Sequence, residues 1–196
     1  MKIKAIERLC KARGNIVLCD EPVVDVELPP RQWMGDGVAL YPLDGVPVLD
    51  EGGVMAIFDI DAKKREKIRL THKDHLPEWI CFADAAVGEV LLEQYDVKIT
   101  VNGAELVLLR GAGDKLVCIQ RQYLSPFEKL KELEMYERVT DNGTVYVAVK
   151  IGCVLRGMIL TYRPSGEKFV EAMGAIYNAA ALALAVEKDD EEQLSI

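Results

Sequence analysis

From Tyr95 to Arg163 apolar residues recur with a period of two, and turn-forming pairs interrupt them at short intervals. This pattern constrains the chain more than any other feature, because alternation of this kind places one face of a strand on a core and the turns then fold each strand back on its neighbour. Val97, Ile99 and Val101 alternate with polar residues, Asn102-Gly103 is a strong hairpin signal, and Leu106 to Leu109 returns as the partner strand. Gly111 to Asp114 forms the next turn, leading into Leu116 to Ile119. Asp141-Asn142-Gly143 delivers a strand over Val145 to Val149, and Gly152 separates it from a last strand over Cys153 to Tyr162. Between these, Pro126 to Tyr136 carries apolar residues at helical spacing and reads as a short amphipathic helix capped by Ser125.

The N-terminal part is more mixed. Ile3, Ile6, Leu9 and Cys10 lie on one helical stripe that Gly14 ends, and Ile16 to Cys19 is a compact β-type run. Trp33 to Gly37 reads as a turn and Val38 to Tyr41 as the strand leaving it, while Val54 to Phe58 is too short to choose between helix and strand. Trp79 to Leu92 is apolar enough for a buried helix or an irregular core segment, and Pro164 to about Lys188 reads as a long alanine-rich helix that buries more than one face. The expected class is therefore α+β: an antiparallel sheet, a meander followed by a strand-helix-strand-strand-strand unit, packed by helices. With 196 residues, half of them apolar, one compact unit over 1–196 is expected, the alternative being a subdivision into 1–82 and 83–196.

Composition narrows the function classes. A net charge of −8 argues against a protein that coats nucleic acid or an anionic membrane through its overall charge. The five cysteines are widely spaced and form no C-x-x-C pair, so they read as reduced core residues. No basic stretch leading into an apolar run follows Met1, and Phe169 to Val186 contains Glu171 and Asn178, so a cytoplasmic protein without a membrane span is expected.

Against the acidic whole, one stretch turns basic: Lys63, Lys64, Arg65, Lys67, Arg69 and Lys73. Several cations on one element can hold phosphates in a salt-dependent way without reading bases, which makes this run the candidate nucleic-acid contact. A solvated charged face is the competing reading. His72 and His75 form an H-x-x-H pair and are the only histidines of the chain; Pro77 interrupts the helix that would align them, and no second cluster completes a tetrahedral metal set. No cofactor is implied, and no serine, cysteine or glycine-rich loop stands in a catalytic or phosphate-cradling context.

Met55-Ala56-Ile57-Phe58-Asp59-Ile60-Asp61 resembles the first motif of the haloacid-dehalogenase family, an apolar strand ending in D-x-D. That resemblance implies a small magnesium-dependent hydrolase using Asp59 and Asp61, although Ala62-Lys63-Lys64 follow where the family has threonine or valine. Residues 115–163 are similar to the βαβββ unit of DNA sliding clamps, with Met158 to Arg163 like the closing strand of bacterial clamps and Thr161 where proline is expected. The general texture is similar to a prophage or mobile-element product. Because no complete catalytic set is present, the leading expectation is a non-enzymatic binding or assembly protein, which the clamp likeness links to DNA metabolism of a phage-like element, with DNA or a protein as partner; the hydrolase is the alternative. A further alternative is a structural homo-oligomer built on the C-terminal helix.

Overall fold

The computed structural model describes residues 2–22, 31–128 and 130–163. Residues as far as Tyr162 form one compact unit; the second unit, Arg163–Ile196, lies outside the described residues apart from Arg163, and with it the expected C-terminal helix. Among the described residues no helix is long and apolar enough to cross a membrane.

The architecture is α+β. Helix α1 (Ile3–Arg13) buries Ala5, Ile6, Leu9 and Cys10 and ends where Gly14 adopts φ 67°, a left-handed conformation that glycine reaches without Cβ strain. Strand β1 (Asn15–Asp20) follows, then β2 (Gln32–Gly35), β3 (Ala39–Pro42), helices α2 (Glu51–Ile57) and α3 (Ala62–Arg65), and strand β4 (Arg69–Lys73). The second half contributes β5 (Val90–Leu91), β6 (Glu93–Gln94), β7 (Ile99–Val101), β8 (Ala104–Arg110), β9 (Leu116–Gln120), β10 (Leu133–Val139), β11 (Val145–Ile151) and β12 (Val154–Leu160).

Eight of these strands form a large sheet in the order β4-β1-β2-β3-β12-β11-β10-β5. Its described pairings are antiparallel except that of β4 with β1, which run parallel. The join between the two halves is β3 against β12, with Leu40 opposite Met158 and Ala39 opposite Ile159. A smaller antiparallel sheet has β8 at its centre, β6 and β7 along one edge and β9 along the other.

The expected hairpin is present: Val101 pairs with Ala104 across Asn102 and Gly103, both at positive φ (51° and 78°). Other expectations change. Trp33 and Met34 are not in a turn but in β2, because each is fully buried, Trp33 in the core on one face of the sheet and Met34 in the core on the other. The turn sits at Asp36, whose carboxylate accepts hydrogen bonds from Val38 N (2.8 Å) and Ala39 N (3.1 Å). No amphipathic helix forms over Pro126 to Tyr136: a 3-10 turn spans Arg121–Phe127, with Ser125 inside it rather than capping it, and β10 starts at Leu133. Leu133, Met135 and their neighbours satisfy strand alternation as well as helical spacing, and a seven-residue ladder with β11 decides for the strand. Val54 to Phe58 falls in and just after α2, which Asp50 caps by accepting from Gly53 N at 2.7 Å. Trp79 to Leu92 is irregular apart from β5, with only Ile80 and Leu92 among its residues buried apolar side chains.

The large sheet is covered on both faces. One face sends Leu18, Met34, Tyr41, Val147, Val149 and Ile159 into a core completed by α1, α2, the 3-10 turn and the small sheet. The other face carries Trp33, Leu40, Tyr146, Ala148, Leu155 and Met158, and what covers them is the irregular segment around Leu76, Ile80 and Phe82. Burial on both faces explains why β11 reads as an unbroken apolar run.

Candidate functional site

The irregular segment leaves part of the second face uncovered. Between it and β1, β3, β4 and β12 lies a cleft of about 280 Å³. Its apolar floor consists of Val17, Leu40, Tyr146, Met158 and Leu160, one or two from each strand, because residues two apart on a strand share a face. Pro77, Trp79 and Ile80 make one wall, and Trp79 keeps 48% of its surface exposed although it is the largest side chain in the segment. Arg69, Thr71 and Lys73 come from alternate positions of β4 and make the opposite rim with Asn15. Asn15 is oriented by donating its side-chain amide to Asp36 O at 2.8 Å. Arg69 and Lys73 form no ion pair with a carboxylate of the described residues.

A buried ionic clamp sets the position of the covering segment. Arg138 on β10, with 2% of its side chain exposed, donates to Glu89 (2.9 and 2.7 Å) and to the carbonyls of Cys81 (2.9 Å), Ala83 (2.9 Å) and Asp84 (3.2 Å). Lys150 on β11 pairs with the other oxygen of Glu89 and lies over the Tyr136 ring at 4.3 Å. Asp84 accepts from Leu155 N (2.8 Å), and the Tyr146 hydroxyl accepts from Cys81 N (3.1 Å). Burial alone pushes the Glu89 carboxyl up, but the hydrogen bonds and charges of Lys150 and Arg138 outweigh it and hold the group below the usual glutamate range.

The basic run divides under this geometry. Lys64 is held between Asp59 and Asp61, each at 3.5 Å, and Arg65 pairs with Glu51 at 3.8 Å, so both already have partners. The Asp59 charge, then that of Asp61, raises the Lys64 pKa. Lys63 and Lys67 lie on and just after α3, exposed, and only Arg69 and Lys73 reach the cleft.

The other candidates fall elsewhere. Asp59 and Asp61 are not at a strand end: α2 stops before Asp59, and Asp61 caps α3 by accepting from Lys64 N at 2.8 Å, a bond that lowers its pKa. His72 Nε2 meets Asp20 at 3.0 Å and His75 Nδ1 meets Asp74 at 2.6 Å, so the two imidazoles have separate carboxylate partners; the His75 hydrogen bond is the main reason the Asp74 pKa is lowered. Among the described residues, no group of three or more His, Cys, Asp or Glu side chains is placed to hold a metal ion. Cys10, Cys19 and Cys118 are buried free thiols, but Cys81 and Cys153 are exposed, because each lies outside the strands, one in the irregular segment and one in the turn between β11 and β12.

Sequence reading missed the cleft's floor, whose residues lie as far apart as Val17 and Leu160, and it took Trp79 for core. The available signal was an isolated tryptophan just beyond a proline and a basic run. No family model matches the chain, and neither does any curated protein or solved structure.

Proposed function

We propose that this is a non-enzymatic binding protein whose ligand is an anion with a flat apolar part, held in the cleft on the second face of the large sheet. One observation carries this reading: an apolar floor lies directly beside two cations, Arg69 and Lys73, that have no carboxylate partner among the described residues. A chain of net charge −8 has many carboxylates with which to neutralise them, yet among the described residues none forms an ion pair with either. A concave apolar site with a few convergent polar groups is the usual form of a ligand pocket. The basic rim is in keeping with the DNA partner that the clamp likeness implies.

The test uses the two tryptophans. Trp79 is half exposed on the cleft wall and Trp33 is buried in the core beneath the floor, so a ligand in the cleft meets Trp79 directly, and a Trp33→Phe background isolates the Trp79 emission. Titration with an aromatic sulfonate dye should quench Trp79 saturably. The Arg69→Glu/Lys73→Glu protein should bind at least tenfold more weakly, and Lys64→Ala/Arg65→Ala should bind as the parent does. Equal binding by the double charge reversal would end the proposal.

A further inference from the structure

Resting on that reading of the cleft, we infer that its ligand is single-stranded nucleic acid, one unstacked base lying against Trp79 while Arg69 and Lys73 take phosphates on either side of it.

The shape of the site argues for this first. A duplex is read by a convex element that enters its groove, whereas this site is concave and, at about 280 Å³, has room for one base and its sugar. A base can enter only when it is unstacked and unpaired, the state that single strands present. The side-chain chemistry agrees. A half-exposed indole on the wall offers a stacking surface to any base, and the hydroxyl of Thr71 and the amide of Asn15 lie on the rim where a base edge would meet hydrogen-bonding groups. Arg69 and Lys73 are four residues apart on one face of β4, so their Cα atoms are separated by about 13 Å at about 3.3 Å per residue. That is the span of two nucleotides in an extended strand, so the two cations take phosphates two apart with two bases between them, one of which lies over the floor.

Charge selects the same ligand. With a net charge of −8 the protein as a whole repels a polyanion, so affinity has to come from a few local contacts. An acidic peptide is the other polyanion that two cations could attract, most simply as an added strand on β4. The exposed charged residues of β4 are the kind that block strand addition at a sheet edge, and an added strand would leave the aromatic wall and the floor unused.

The experiment is a set of titrations followed by Trp79 emission and, for variants that lack this indole, by the anisotropy of labelled probes, with a ten-residue oligothymidine, the matching duplex and a polyglutamate peptide as probes, repeated over a range of salt. The oligothymidine should bind, and the duplex and the peptide should bind at least tenfold more weakly. Because single strands release about 0.7 counterion per neutralised phosphate, log K should fall with log salt at a slope of about −1.4, and Arg69→Gln or Lys73→Gln should each reduce the slope by about 0.7. Trp79→Ala should weaken binding roughly 5- to 150-fold, the range expected for loss of one base stack, and Trp79→Phe should restore most of it. Thermal melts of each variant establish that it is folded. If the sulfonate dye binds in the cleft and the oligothymidine does not, or if the duplex or the peptide binds as tightly, the assignment to single strands is wrong while the cleft reading stands. If neither the dye nor the oligothymidine binds, both are wrong.

Discussion

The two faces of the large sheet are covered by different physics. On the first, α1, α2, the 3-10 turn and the small sheet bury Leu18, Met34, Tyr41, Phe127, Val147 and Ile159 against one another, and the cleft of about 290 Å³ that remains there, beside Ile3, Leu43 and Phe127, has Arg156 on its rim already paired with Asp44. On the second, an irregular segment is attached at a few points by Arg138, Lys150, Tyr146 and Asp84, and beside it an apolar cleft stays open. Interlocked apolar layers stabilise in proportion to the area they bury. A polar clamp is sharply positioned, yet it lets the remaining surface stay uncovered. This division separates the part of the molecule that keeps it folded from the part that can bind.

Replacing one anchor on each face tests the contrast, and the largest effect is expected on the first. Phe127 is 2% exposed, packs on Tyr41 with ring centroids 5.6 Å apart, and closes over Gly157, where an added Cβ would come within 2.6 Å of its ring. Phe127→Ala should cost about 3–5 kcal/mol in denaturant unfolding, as large-to-small core changes do. Next comes Arg138→Leu, which leaves Glu89 with Lys150 as its one cation and takes the donor from three carbonyls, and should cost about 3 kcal/mol. Its signature should be local, with faster hydrogen exchange over residues 80–89 and little change around β8. Replacing Glu89, Arg138 and Lys150 together by apolar residues of similar size should cost much less, since no charge is then left buried alone. If Arg138→Leu unfolds the molecule as uniformly as Phe127→Ala does, the two faces are one cooperative unit and the contrast fails.

A smaller effect is expected from acid. The Glu89 pKa is lower in the folded protein than its unfolded value, so its contribution is complete above the usual glutamate value of about 4.3 and is lost as the pH falls through the lowered folded value. Trp79 emission should therefore change below about pH 4 while the small sheet stays intact, and Glu89→Gln should remove that step. The smallest effect is chemical. Cys81 and Cys153 should react with a thiol reagent in the native state, whereas Cys10, Cys19 and Cys118 should react only on unfolding. Burial, reinforced by the Asp36 charge, pushes the Cys10 thiol up to about 12, which keeps it in the unreactive protonated form.

The legibility of the fold followed the range of the interactions. Gly14, Asn102-Gly103, the alternation in β7 and the Gly152 turn before β12 act over a few residues, and each was readable in the chain. Pro126 to Tyr136 was misread because Leu133 and Met135 fit two periods at once, and only pairing with β11 separates them. Trp33 was misread because a strand buried on both faces lacks alternation, and a neighbouring Gly-Asp-Gly then looks like the end of the pattern. For the candidate site, the basic run was visible and its division was not. Lys64 and Arg65 are neutralised by Asp59, Asp61 and Glu51, close in sequence, yet nothing in the spacing reveals which cations are used in this way.

By itself the sequence determined the α+β class, most strand positions in the second half, the end of α1 and the presence of a local basic stretch, all of which depend on period, turn chemistry and composition. Tertiary structure alone decided that β3 meets β12, that Arg138 and Lys150 converge on Glu89, and that Val17, Tyr146, Met158 and Trp79 surround one cleft beside Arg69 and Lys73. The physical reason is that side-chain period is a property of the strand, whereas a cleft is a property of which strands become neighbours and of what the covering segment leaves exposed.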